Sequence, residues 1–195
     1  MKIEYTIEFL DYWHLSSGLS AGAKLDSSVI KDSNKLPYMP GKTIKGLTRE
    51  MAELFEDCEF VNICFGGSSD DKDDNCYNDK YKQTEGVCYF SNATINKDTA
   101  QKIVEHNMQD SLYDVITSTS INRETKVAKD NSLREIEVVV PIALHGFIDN
   151  VPNEYIDKVK SSLEMIKRVG LNRNRGLGRC RIVAKEVKWE SWFLI

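Results

Sequence analysis

The chain has 195 residues, 41% hydrophobic and 29% charged, with a formal net charge of −4. That apolar content suffices for one domain with a real core, while the acidic balance excludes general electrostatic attraction to nucleic acid, so any anion binding must come from local patches. No apolar run approaches the roughly 18 residues a membrane span needs, and the N-terminus reads as a strand with acidic residues inside it rather than a signal peptide, so a cytoplasmic location is expected.

In chain order, alternation of Ile3, Tyr5, Ile7 and Phe9 with polar neighbours predicts an opening strand over 2–13, its pattern running out at Asp11. A long loop follows, held out of regular structure by the small residues between Ser16 and Val29 and by Pro37 and Pro40. A first helix is predicted from near Lys42, with Ile44, Leu47, Met51, Leu54 and Phe55 as its core face. The acidic run from Ser68 to Asp79 has the composition of a mobile surface loop. A strand is predicted from Val87 to about Ile95, then a short helix toward Asn107 capped at Asp98-Thr99. Residues Thr117 to Asp130 are polar and irregular. From Leu133 to Ile148 one long strand is predicted, with Pro141 marking an edge position or a bulge. Asn153 caps a second helix whose stripe is Tyr155, Val159, Leu163 and Ile166, ending at Gly170, and a last strand runs from Arg179 to Trp189. This order is that of an α+β, ferredoxin-like antiparallel sheet with helices on one face. Its connections are longer than compact units need, so function is sought in the loops.

One loop states a ligand class. Gly170-Leu171-Asn172-Arg173-Asn174-Arg175-Gly176-Leu177-Gly178-Arg179-Cys180-Arg181 combines glycines, which permit positive φ and close approach, with guanidinium groups that fork onto phosphate oxygens. Lys167 to Lys185 holds seven basic residues and no acidic one, whereas Glu50 to Glu85 holds eleven acidic residues against three lysines, so the charge is polarised. Gly41-Lys42-Thr43 imitates the end of a P-loop, but Leu36 stands where its first glycine belongs and Pro37 and Pro40 interrupt it, which excludes a nucleotide triphosphatase. Instead, Lys42 and Lys45, with Arg49 on the same helix, offer cations beside a helix N-terminus that favours phosphate. Cys58, Cys64, Cys76, Cys88 and Cys180 are odd in number without a CxxC pair, and reduced thiols are expected; a metal shared by some of them with His106 is the alternative.

The segment from Gly18 to Asp32, then Leu36-Pro37-Tyr38-Met39-Pro40-Gly41-Lys42-Thr43-Ile44-Lys45-Gly46, resembles the first half of the RAMP superfamily of CRISPR effectors, and the glycine and arginine loop resembles that superfamily's G-rich loop. Cys64-Phe65-Gly66 with the strand from Gly86 to Ala93, and Ile121 to Ala128 with Glu135-Ile136-Glu137, are similar to its intervening strand segment and its thumb hairpin. The resemblance lies closest to the backbone subunit of type III (Csm/Cmr) complexes. It implies a single domain over 1–195 with a loop insertion at about 66–85 and a thumb-like segment at about 117–135. It implies partners in CRISPR guide RNA, target RNA, further copies of the chain and other effector subunits in antiviral defence. Lys42, Lys45, Arg49, Arg123, Lys126, Arg173, Arg175, Arg179 and Arg181 are the expected RNA-binding residues. Ile121, Val127 and Leu133 supply apolar wedges among the thumb's cations, as extended single-stranded RNA requires. Asp26 stands where the family's cutting aspartate is implied, with Mg²⁺ or another divalent cation as its cofactor in metal-dependent endoribonuclease chemistry. Two alternatives stay open: a non-catalytic assembly or cap subunit, and a metal-independent CRISPR RNA processing nuclease using His14 or His145.

Overall fold

In the computed structural model, which describes residues 1–18, 25–67 and 85–187, the opening alternation forms strand β1 (Lys2–Phe9). Ile3, Tyr5, Ile7 and Phe9 are buried on one face, as a period of two demands. The strand stops at Phe9, short of the predicted Trp13, and Trp13 rejoins the structure through an isolated bridge to Val139. Helix α1 (Gly41–Phe55) starts directly after Pro40. Its buried positions are Gly41, Ile44, Thr48 and Ala52, whereas Leu54 and Phe55 are 65% and 63% exposed. The expected core face is therefore corrected in the last turn, which projects into solvent.

Helix α2 (Cys58–Phe65) is an element the sequence reading lacks. Asp57 caps it, its carboxylate accepting the Phe60 N–H at 2.9 Å, and Gly66 ends it at φ 98°. The strand expected from Val87 to Ile95 shrinks to β2 (Tyr89–Phe90), beyond which Ala93 and Thr94 make only single bridges. Helix α3 (Lys97–Glu105) is capped by Asn96 rather than Asp98-Thr99, the Asn96 amide oxygen accepting the Asp98 N–H at 3.0 Å.

The long strand predicted from Leu133 to Ile148 is two strands in two sheets. β3 (Tyr113–Ser118), in a stretch read partly as irregular, pairs with β4 (Arg134–Val139) as a separate two-stranded sheet. β5 (Ala143–Asp149) belongs to the main sheet. Pro141, which has no N–H for a ladder, lies in the crossing between them. After a 3₁₀ turn at Asn153–Tyr155 comes α4 (Ile156–Glu164), burying Ile156, Val159, Ser162 and Leu163 and ending well before Gly170. β6 (Cys180–Val187) closes the main sheet.

That sheet runs β2-β5-β1-β6 with every pairing antiparallel, the ferredoxin-like order. Its buried face joins α1, α2 and α4 in one core, which includes Ile3, Ile7, Ile44, Phe60, Leu144, Ile148 and Leu163. Each such side chain contributes roughly 1.5–3 kcal/mol by burial. Cys64, Cys88 and Cys180 are buried free thiols, but Cys58 is engaged in a disulfide, which corrects the expectation of reduced thiols throughout. Among the described residues no group of three or more His, Cys, Asp or Glu side chains is placed to hold a metal. The acidic run 68–79, Cys76, residues 19–24 and the end of the predicted last strand lie outside the described residues.

Candidate nucleic-acid interface

The glycine and arginine loop is pinned from within. Gly178 donates its N–H to the Tyr12 carbonyl at 2.8 Å, and Leu171 donates to the His14 carbonyl at 2.9 Å, so the loop lies along the segment leaving β1. Gly170 (φ 92°) and Gly178 (φ 70°) are required by this docking, since a Cβ at Gly170 would sit 2.2 Å from the His14 oxygen and one at Gly178 1.8 Å from the Val169 oxygen. Gly176 (φ 95°) faces open space. The loop's glycines thus divide into two that serve packing and one, between Arg175 and Leu177, whose backbone is left exposed.

Its arginines divide in the same way. Arg179 pairs with Asp11 at 3.0 Å and Arg173 lies 3.7 Å from Glu50. Arg175 is exposed at the tip and Arg181 on the open face of the sheet, opposite Glu8. At the start of α1, Lys42 is exposed and Lys45 half-buried, while Gly41 spends its N–H on the Asn92 side chain at 2.9 Å. Arg49 is turned inward, its Nε 2.5 Å from Glu53 and its Nη1 donating to the Gly66 carbonyl at 3.1 Å. Arg123 and Lys126 are exposed beyond β3, in a hairpin held at Ile121–Ala128. There Ile121, Val127 and Leu133 are 62%, 63% and 64% exposed, an apolar and cationic mixture without packing of its own.

Asp26 reaches the base of that hairpin. Its N–H donates to the Glu135 carbonyl at 2.9 Å, and one carboxylate oxygen accepts the Glu135 N–H at 2.8 Å. Residues 26–29 therefore lie along β4, with Ser27 bridged in parallel to Ile136. Glu137, nearly buried, accepts the Val29 N–H at 2.9 Å and pairs with Lys31 at 2.8 Å. The Lys31 ammonium also stands 3.8 Å over the Tyr113 ring. Burial, helped by the Glu137 charge, pushes the Tyr113 hydroxyl above its ordinary range.

The two histidines differ. His14 is fully buried, with Nδ1 2.5 Å from the Glu137 carbonyl and Nε2 3.0 Å from the Ser27 hydroxyl. His145 is exposed on the open face of the sheet, 3.0 Å from Thr6, beside a concavity of about 580 Å³ that also borders Phe147 and Lys185. Sequence reasoning placed Ser27, Lys31 and Glu137 in segments that resemble the family but gave none of them a role at the site. Their partners lie 13 to 108 residues away along the chain, so no local pattern betrays them.

A comparison with curated proteins finds no match in sequence. Among solved structures, the fold is similar to a chain of "Cryo-EM structure of the Type III-B Cmr-beta bound to cognate target RNA", with TM-score 0.70, 10% identity, and 94% of this chain and 97% of that one covered. It is also similar to a chain of "Type III-B Cmr-beta Cryo-EM structure of the Apo state", with TM-score 0.67, 11% identity and the same coverage. The sequence profile of the RAMP superfamily matches residues 6–181, a span running from β1 through the arginine loop into β6, and the chain belongs to the RAMP superfamily.

Proposed function

We propose that this chain is an RNA-binding backbone subunit of a type III-like CRISPR ribonucleoprotein that acts in the cytoplasm, holds guide RNA and target RNA, and cuts the target at Asp26. One observation carries the reading. The arginine loop, the Asp26 segment and the base of the hairpin converge on one end of the sheet, because the first docks on Tyr12 and His14 while the second pairs with β4. A phosphate track, a carboxylate and apolar wedges are the parts that an extended single strand and a strand-cutting site require. The similarity in fold to a chain of a Cmr complex bound to cognate target RNA supports the same reading.

Arg175 and Lys42, exposed and outside any ion pair among the described residues, are the first contacts for guide RNA phosphates. Arg173 and Arg179 join them by exchanging Glu50 and Asp11 for phosphate. These contacts position the RNA, and sequence is read by pairing between the strands. The hairpin cations Arg123 and Lys126 face the target strand, with Ile121, Val127 and Leu133 against its bases. Further copies of the chain and other effector subunits complete the channel, concentrating basic loops that one acidic subunit cannot offer alone.

Asp26 suits Mg²⁺ or another divalent cation as a single hard oxygen ligand. Its carboxylate is exposed and held on one oxygen by the Glu135 N–H, and an ion that keeps several waters and takes phosphate oxygens needs few ligands from protein. When bound, the ion supplies charge stabilisation at the scissile phosphate. Full burial of His14, with both ring nitrogens engaged, argues against that residue touching RNA as a metal-independent acid or base.

The purified complex is expected to carry a discrete small RNA along a filament of regular subunits. Asp26→Ala in the reassembled complex is expected to abolish target-RNA cutting while leaving target binding intact. Undiminished cutting removes the catalytic assignment and leaves a non-catalytic assembly subunit.

A further inference from the structure

The His14 side chain bonds both to the Asp26 segment and to β4, and its backbone also anchors the arginine loop. The Glu137 carbonyl can only accept, so His14 Nδ1, 2.5 Å away, carries the ring proton. In the neutral ring Nε2 is an acceptor, to which the Ser27 hydroxyl, 3.0 Å away, can donate. Having spent its proton, Ser27 accepts from the Ser16 hydroxyl at 3.2 Å, and Ser16 accepts the Gly18 N–H at 3.1 Å. The result is a chain of bonds with one direction, from Gly18 through Ser16, Ser27 and the imidazole to β4. At the same residue, the His14 carbonyl accepts the Leu171 N–H at 2.9 Å and fills the space where a Cβ on Gly170 would lie.

We propose that His14 is a positioning residue for cleavage at Asp26. Its neutral, Nδ1-protonated ring fixes Ser27, and with it the neighbouring Asp26, in register with β4, while its backbone holds the arginine loop. The spacing between the guide RNA backbone and the cutting carboxylate is thereby set by one buried residue. This rests on the reading of Asp26 given above. A packed aromatic ring alone does not account for the arrangement, because a Phe fills the volume yet removes the donor from the Glu137 carbonyl and leaves the Ser27 hydroxyl with Ser16 alone. The position needs a donor and an acceptor on opposite edges of one rigid ring.

The test has two parts. In ¹⁵N-labelled free protein at neutral pH, the His14 resonances are expected to show a protonated Nδ1 and an acceptor Nε2, and Ser27→Ala is expected to shift Nε2 alone. In the reconstituted complex, single-turnover cutting at saturating target RNA is expected to fall about tenfold in Ser27→Ala and about a hundredfold in His14→Leu, the range seen when groups that orient a reacting site are removed. Target affinity should stay within about twofold of the parent. His14→Gln, whose amide oxygen can accept the Ser27 hydroxyl, should recover part of the loss.

Equal cutting by Ser27→Ala and parent, a protonated Nε2, or binding and cutting falling together with Gln no better than Leu, each overturns the proposal. Asp26→Ala run alongside separates the two claims. If it is inactive while Ser27→Ala is unaffected, only the positioning role fails; if it cuts like the parent, the cleavage reading fails and takes the positioning role with it.

Discussion

The junction around His14 and the tip of the β3–β4 hairpin lie in the same half of the molecule but are built on opposite terms. At the junction, Trp13, His14 and Val139 are buried, the arginine loop donates backbone hydrogen bonds to Tyr12 and His14, and Trp13 and the Asp26 segment exchange backbone hydrogen bonds with β4. At the tip, nearly every residue from 119 to 133 is exposed, including three large apolar side chains, Ile121, Val127 and Leu133. The junction is cross-braced, whereas the tip, which under the proposed function faces target RNA, is left without packing of its own. Stability and recognition are thus separable by mutation.

The sharpest way to break this contrast uses two glycines of one loop. Gly170→Ala forces a Cβ toward the His14 carbonyl at positive φ and is expected to cost about 2–4 kcal/mol in urea unfolding, combining left-handed strain with overpacking. Gly176→Ala, also at positive φ but facing open space, should cost only about 1 kcal/mol. Equal losses would show that the loop is not braced at one end and free at the other.

A smaller effect comes from pH. Cys180 begins the strand under the arginine loop, and burial pushes its thiol up to about 11. A raised thiol leaves the native state fully stable below the unfolded value of about 8.5; the contribution is lost as pH rises from there through the folded value. The parent should therefore lose on the order of 1 kcal/mol from this group by pH 10, and Cys180→Ala should show a shallower alkaline decline. A decline identical in both proteins would mean the thiol ionises freely and the base of the loop is open.

The smallest change in stability is expected at the tip. Ile121→Ala and Val127→Ala should alter unfolding by less than about 0.5 kcal/mol. Arg123→Ala and Lys126→Ala should each lower the salt dependence of RNA binding by about one unit of slope. A loss above about 1 kcal/mol in any of these would place the tip with the packed region.

Much of the frame was legible because its periodicities are local. β1, β6 and α4 alternate or repeat on one face, and the element order alone leads to the ferredoxin-like sheet. β3 was hidden because both of its faces are largely exposed, so Val115 and Ile116 make no stripe. α2 was hidden for the opposite reason: Phe60, Val61, Cys64 and Phe65 are all buried, and an eight-residue helix with apolar residues on most sides, interrupted by Asn62, shows no clear period. At the candidate site, Asp26 and the arginine loop were readable through family resemblance and residue chemistry. Their relation was not, since the bond from Asp26 to Glu135 spans 109 residues and that from His14 to Glu137 spans 123.

Pro141 separates two strands that one hydrophobic pattern joins, and the separation makes the arm's length independent of the main sheet. Because β3 and β4 form their own sheet, residues can be added in matched pairs on either side of the tip without changing a single register in β2, β5, β1 or β6. Each pair lengthens the arm by roughly 3.3 Å, so its reach is adjustable over an unaltered platform.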